Sequence, residues 1–387
     1  MTSKSGASLR LTHLHLENWR NFTLVDAPLQ RRVFLVGPNA SGKSNLLDAV
    51  RFLRDVVAVG GGFQEAIASR GGVSKLRSLA ARRYSDVVVR VRIGDDSTPD
   101  LWEYEVRFSQ DNRARPVIKS ELVGKSGVQI VLRPDERDES DPERLTQTYL
   151  EQVNANRDFR EVADFLASVR YLHIVPQLIR EPDRSVGRSN DPYGGDFLEQ
   201  IAKTPDRTRR ARLSRILEAL KVAVPQLHEL ELWRDPDRGT PHLRGKYVHW
   251  RPQGAWQTEE QFSDGTLRLT GLLWAVLDGT GPLLLEEPEL SLHPEVVRHV
   301  PQMLARIQRK SGRQVLLSTH SADLLRDQGI GLDEVLLLLP EAEGTSVCPA
   351  SSFDEIKALL DSGLSMADAV IPRTGPEQAE QLALFGG

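Results

Sequence analysis

Gly37-Pro38-Asn39-Ala40-Ser41-Gly42-Lys43-Ser44 constrains this chain more than any other stretch. The octet fits G-x-x-x-x-G-K-S, a loop whose backbone N–H groups wrap phosphates. It is preceded by Val33-Phe34-Leu35-Val36, apolar on both faces as a buried parallel strand must be. It is followed by a helical pattern from about Lys43 to Val57, with Leu46, Leu47, Val50, Phe52 and Leu53 turned inward, ended by Gly60-Gly61-Gly62. A glycine turn capping a helix would not need this strand, this Lys-Ser pair and this helix together. Lys43 is expected to reach the β- and γ-phosphates, and Ser44 to ligate Mg²⁺. The helix N-terminus adds partial positive charge.

Two further strand ends carry polar chemistry. Pro282-Leu283-Leu284-Leu285 runs into Glu286-Glu287-Pro288-Glu289. An apolar strand ending in acids places carboxylates at the carboxyl edge of a parallel sheet, where a phosphate loop also sits. Glu286 is expected in the Mg²⁺ shell, and Glu287 to orient or deprotonate the attacking water. Val315-Leu316-Leu317-Ser318-Thr319-His320-Ser321 ends in a histidine, which alone is more often structural than catalytic. Beside the other two strand ends it becomes a candidate catalytic group.

The remaining pattern fills in an α/β chain. Residues 9–16 read as an edge strand leading to Asn18-Trp19-Arg20-Asn21-Phe22, and 86–132 alternate with period two as an antiparallel sheet. Pro134 to Arg144 is rich in acids and reads as a solvated loop, with helices over 145–168 and a strand over 170–175. Helices are expected at 197–202 and 206–223, and strands at 228–233 and 243–250. Then come helix 267–277, strand 282–286, helix 294–310, strand 313–318, helix 321–327 and strand 334–339, the rhythm of a parallel sheet covered on both faces.

Composition narrows the class. The 387 residues are 40% hydrophobic and 27% charged, enough for a core in two or three units or one large α/β domain with insertions. A net charge of −4 excludes a strongly basic nucleic-acid coat but leaves room for a local patch. Arg207, Arg209, Arg210, Arg212 and Arg215, with Lys203 nearby, are either a solvated helix face or a phosphate-backbone contact. The single cysteine, Cys348, allows no internal disulfide, and no Cys/His spacing suits structural zinc. No apolar run nears the ~18 residues of a membrane helix, and no signal peptide is visible, so a cytoplasmic protein without membrane contact is expected.

The set resembles the ABC-type ATPases of the RecF, SMC and OLD lineage, found in DNA repair and bacterial anti-phage systems. The matching residues are Asn39 and Gly42 to Asn45, Glu286-Glu287-Pro288-Glu289, Leu292-His293-Pro294 at the D-loop position, Ser318-Thr319-His320-Ser321, and the opening Leu14 to Phe22. The resemblance implies an α/β fold: a P-loop NTPase head of ABC type with a mostly parallel sheet, an inserted antiparallel β subdomain and a short helical lobe. In segments this gives 1–75 and 263–345 as the two parts of the head, 76–169 as the insert, 170–262 as Q-loop strand and lobe, and 346–387 as a tail. It also implies a nucleotide site over Gly37 to Asn45, with ATP and Mg²⁺ as ligands. The signature loop falls on Ser263-Asp264-Gly265-Thr266, which departs from LSGGQ in Asp264 and Thr266. By resemblance it contacts the γ-phosphate held by the opposite subunit. Gln177, after the strand at 170–175, takes the Q-loop position and would sense Mg²⁺.

The implied protein is an ATPase switch whose heads dimerise on ATP. The chain beyond His320 is too short for the TOPRIM nuclease domain of OLD-type proteins, so a separate effector such as a nuclease is expected, in anti-phage defence. The alternative is a RecF-like DNA-repair ATPase acting on DNA directly, and DNA or RNA remains a candidate partner in either case. A transporter subunit fits the E-E-P-E and L-H-P patterns poorly.

Overall fold

The computed structural model describes residues 8–81, 86–181, 191–248, 255–375 and 381. The chain opens with a hairpin, β1 (Arg10–Trp19) and β2 (Phe22–Pro28), and then enters the fully buried β3 (Arg32–Val36). The phosphate loop follows and leads into α1 (Lys43–Val57), then α2 (Phe63–Ala68) and α3 (Val73–Leu76). Next come β4 (Val87–Gly94), β5 (Trp102–Gln110), β6 (Pro116–Lys125) and β7 (Val128–Arg133). Two short helices, α4 (Glu136–Ser140) and α5 (Arg160–Ala167), lead to β8 (Arg170–Leu172) and α6 (Pro176–Arg180). The lobe holds α7 (Phe197–Lys203), α8 (Asp206–Ala223), β9 (Leu227–Arg234), β10 (Pro241–Tyr247) and β11 (Ala255–Thr258). Then follow α9 (Asp264–Leu277), β12 (Leu283–Glu286), α10 (Pro294–Val297), α11 (Val300–Ser311), β13 (Val315–Thr319) and α12 (Ala322–Leu325). The described chain closes with β14 (Val335–Glu341), β15 (Gly344–Pro349), α13 (Asp354–Asp361) and α14 (Met366–Val370).

The strands form three sheets. One is ordered β15-β14-β3-β13-β12-β8, parallel except for β15. Both its faces are buried: Val33 and Leu35 of β3 pack with α1 and the antiparallel strands, while Phe34 and Val36 pack with α11, α12 and α14. The second is antiparallel, β2-β1-β4-β5-β6-β7, and the third, β11-β10-β9, belongs to the lobe. This is the expected α/β architecture, and β4–β7 extend the sheet that the N-terminal hairpin begins.

Several local expectations are corrected. Strand β1 lies between β2 and β4, so residues 9–16 are internal rather than an edge. The strand expected over 170–175 stops at Leu172, because His173 and Val175 donate their N–H groups to Pro192 and Tyr193 instead of a neighbouring strand. The helix expected over 294–310 breaks between Val297 and Val300; Pro301 has no N–H to continue it and stands in the first turn of α11. Regular α-helix within 145–168 is confined to α5. The end of the strand expected at 243–250, and most of the chain after 375, lie outside the described residues.

The acidic stretch is not simply a solvated loop. Asp135 caps α4, and Asp138 points inward to a fully buried Arg133. Arg133 binds Asp138 through Nε and Nη2, at 2.9 and 2.8 Å, and Glu121 of β6 through Nη1 at 2.9 Å. Its guanidinium lies 3.9 Å from the Tyr149 ring centroid. Glu121 also accepts from the Tyr149 and Leu150 N–H groups and the Tyr104 hydroxyl. Burial would raise the Asp138 carboxyl, but the Arg133 hydrogen bonds and charge outweigh it and hold the group down at about 2. At Glu121 burial wins over Arg133, and the carboxyl is raised.

A second buried arginine, Arg313, precedes β13. Its Nε donates to the Gly281 carbonyl at 2.7 Å, and its Nη1 to those of Ala275 and Asp278 at 2.6 Å each. It thus ties the last turn of α9 and the residue after it to the entry of β12; the Ala275 carbonyl accepts from the Asp278 N–H as well. Burial lowers its pKa to about 10, so it stays charged at neutral pH.

Candidate active site

Parallel register brings the three polar strand ends together. In β12 and β13, Glu286 pairs with Ser318; in β13 and β3, Thr319 pairs with Val36, the residue before the phosphate loop. The loop, the acids and the histidine therefore share one carboxyl edge.

The phosphate loop is tightly specified. Ala40 and Gly42 are left-handed, with φ of 61° and 96°. A side chain at Gly42 would meet the Asn21 amide at 2.3 Å. Asn21, in the turn between β1 and β2, donates to the Ser41 carbonyl at 2.9 Å and to Thr345 Oγ1 at 2.8 Å, and accepts from Asn45 at 2.8 Å. Asn21 therefore joins the loop to both large sheets. Lys43 is buried and donates to the Gly37 and Pro38 carbonyls at 3.0 and 2.9 Å. Burial pushes its ammonium pKa down, opposed by Glu287, Glu286 and Glu289. Ser41 Oγ is buried and has no hydrogen-bond partner among the described residues.

Ser44 donates its hydroxyl to Glu286, whose other oxygen accepts from the Tyr171 hydroxyl on β8. Burial and then the Glu286 charge raise the Tyr171 phenol well above its usual range. A serine hydroxyl and a carboxylate in direct contact, beside a loop lysine, form a donor set that fits a phosphate-bound Mg²⁺. One residue on, Glu287 adopts a left-handed backbone, φ 44°, and faces His320 Nε2 at 2.9 Å. Burial lowers the His320 pKa and Lys43 lowers it further, against Glu287.

The other sequence candidates are placed as follows. Ser263 caps α9, its Oγ accepting from Thr266 N at 3.2 Å, and Thr266 is buried. Asp264 accepts from Arg180 Nη2 at 2.6 Å, and the same nitrogen donates to the Phe262 carbonyl. A side chain at Gly265 would meet the Ser291 carbonyl at 2.5 Å, so the loop is closely applied to the turn before α10. His293 Nδ1 caps α10. Gln177 is exposed on α6 and makes no hydrogen bond among the described residues, whereas Tyr171 of the same segment reaches Glu286. Tyr171 and Asn21 carry no sequence signal of a site role: nothing in their spacing marks a side-chain contact to a residue so far along the chain.

Such a sheet edge, with a phosphate loop before α1 and acids ending β12, defines a P-loop ATPase head of ABC type. Compared with family models, residues 32–327 match the one described as "AAA domain, putative AbiEii toxin, Type IV TA system", and the chain belongs to that family. No curated protein matches the sequence. Among solved structures, the chain is similar to an Smc head bound to the C-terminal winged-helix domain of ScpA, at TM-score 0.53 and 15% identity, over 87% of this chain and 96% of that one. It is also similar to an Smc head with an extended coiled coil bound to the C-terminal domain of ScpA from Pyrococcus furiosus, at TM-score 0.51 and 14% identity, over 92% and 100%. An Smc head with coiled coil and joint from Pyrococcus yayanosii gives TM-score 0.51 and 13% identity over the same shares. These likenesses are of fold. Among the described residues no helix is long and apolar enough to cross a membrane.

Proposed function

We propose that this chain binds and hydrolyses ATP with Mg²⁺, closes as a head dimer around it, and so controls a separate effector, such as a nuclease, in bacterial anti-phage defence. The observation that carries the hydrolytic reading is the pairing, at one sheet edge, of Ser44 with Glu286 and of Glu287 with His320. Lys43 exchanges its loop carbonyls for β- and γ-phosphate oxygens, and the loop from Gly37 to Asn45 supplies N–H donors. Ser44 and Glu286 would hold the Mg²⁺ ion, which would supply positive charge against the phosphates. Glu287 takes a proton from water as its oxygen attacks the γ-phosphorus and the bond to ADP breaks. His320 holds the Glu287 carboxylate in place and follows the γ-phosphate. Ser263 and Gly265 of the second head complete each site across a two-fold interface. Gln177 makes no contact that supports metal sensing; Tyr171, bonded to Glu286, suits that task better.

An effector on a separate chain is supported by the Smc heads, two of which are bound to ScpA domains. The OLD-like, defensive reading rests on the loop Ser263-Asp264-Gly265-Thr266 and the E-E-P-E run. A RecF-like repair role directly on DNA is favoured by α8, where Arg207, Arg210 and Arg215 are exposed, Arg210 beside Asp206, while Arg212 binds Asp278 and stacks on Trp274.

Lys43→Ala is expected to weaken ATP binding by about 1.5–3 kcal/mol, roughly 10- to 150-fold, because the triphosphate loses its charged donor. Titration calorimetry with ATP and Mg²⁺ checks this; wild-type affinity in the variant would remove the phosphate-loop assignment.

A further inference from the structure

Glu289 is the one acid of the E-E-P-E run to which the hydrolytic reading gives no task. The residue is 9% exposed. Oε1 accepts from Thr319 Oγ1 at 2.5 Å and from the His320 N–H at 3.2 Å, while Oε2 is buried with no partner among the described residues. The Glu287 N–H in turn donates to the Ser318 carbonyl at 3.1 Å and lies 3.3 Å from its hydroxyl. The turn after β12 is therefore fastened to the tip of β13 on both sides of Pro288. The Glu287–His320 pair closes the same ring at 2.9 Å.

A buried carboxyl with an oxygen left unsatisfied is costly, and its retention asks for a reason. Glu287 provides one. Its left-handed backbone is unfavourable for a residue with a side chain and persists only where the surroundings enforce it. His320 lies beyond the last residue of β13, where no ladder bond fixes it. We infer that Glu289 is the positioning residue of the site: through Thr319 and the His320 backbone it sets the distance between His320 and Glu287, and with it the aim of Glu287 at water. Only one of its oxygens does this. An amide, which keeps a carbonyl oxygen for the same two donors, can replace the acid.

This inference rests on the hydrolytic reading above, and the test separates the two. Phosphate release and ATP affinity are measured on the full chain as wild type, Glu289→Ala, Glu289→Gln, Thr319→Val and the double variant Glu289→Ala/Thr319→Val. Glu289→Ala is expected to lose about 10²-fold in kcat, the scale of a misplaced catalytic group, with ATP affinity changed less than about threefold. Glu289→Gln should keep the rate within about threefold of wild type. Thr319→Val should lose about tenfold, and the double variant should be slower than Glu289→Ala by clearly less than that tenfold, since the two share the Glu289–Thr319 bond while Thr319 Oγ1 also accepts the Ser321 N–H at 2.9 Å. A Glu289→Ala rate equal to wild type, a Glu289→Gln rate as low as that of Glu289→Ala, or multiplying effects in the double variant would each overturn the inference. If Glu289→Ala does not fold, Glu289→Gln and Thr319→Val decide: both at wild-type rate overturns it, and an active amide beside a slowed valine upholds it. A wild-type protein that binds ATP without hydrolysing it takes down both readings; an active wild type with an indifferent Glu289→Ala takes down this one alone.

Discussion

Glu287→Gln is expected to bind ATP as the wild type does and to hydrolyse it about 10²–10⁴-fold more slowly, the usual loss when a general base is removed. The amide keeps the length and shape of the side chain and can still meet His320, but it cannot take a proton from water. Nucleotide then stays between the heads, and the closed dimer accumulates, visible as a doubled mass by light scattering during gel filtration. Unchanged hydrolysis, or accumulation with Glu286→Gln instead, would reverse the roles given to the two acids. Mixing adds a test of the shared interface. In a heterodimer of Glu287→Gln and Ser263→Arg chains, a loop acting in trans places both defects in one site and leaves the other intact. Activity should reappear when the two inactive proteins are mixed; heterodimers without activity would remove the composite site.

The second large effect is on stability. Arg133→Ala should cost about 3–5 kcal/mol in urea unfolding, because it leaves the buried Glu121 without its cation and Asp138 with only the longer Arg144 contact at 3.3 Å. Adding Glu121→Gln to it should recover part of the loss by removing one stranded charge. The pH dependence has opposite signs at the two acids. Asp138 has a folded pKa below its ordinary 3.8, so its stabilising contribution is complete above that value and is lost as pH falls towards about 2. Glu121 has a raised folded pKa, so its contribution declines as pH rises through its titration. A loss below about 1 kcal/mol for Arg133→Ala would show that the cluster rearranges or admits water.

What the sequence disclosed follows from how far each signal reaches along the chain. The phosphate loop, β3 and α1 form one local unit, and α1 occupies the expected residues, Lys43 to Val57. The alternation over 86–132 revealed an antiparallel sheet but not its neighbour: the pairing of β4 with β1 is made across more than seventy residues, and no periodicity encodes it. The acidic stretch after β7 misled because charge counts do not show partners; Asp138 is buried only because Arg133 is there to receive it. At the site, Ser44 with Glu286 and Glu287 with His320 meet because three strand ends share a register. Tyr171 and Asn21 are illegible for the converse reason, since each acts through side-chain contacts to residues distant in the chain. Gln177 takes the Q-loop position only by its distance past a strand, and that strand ends three residues earlier than expected.

Arg313 gives the head a mechanical property. It fastens the end of α9 to the entry of β12, while the far tip of the helix carries Ser263 and the far tip of the strand carries Glu286 and Glu287. Helix and strand are thus the two arms of a pair of tongs with the arginine as its rivet. The helical arm, 14 residues, is about 21 Å long, and the strand arm, 4 residues, about 13 Å. The two arms are not equally free: β12 is held between β8 and β13, so a second head pressing near Ser263 would turn the helix about its anchored end. The carboxylates at the tip of β12, laddered to the sheet, would keep their place while the helix turned beside them.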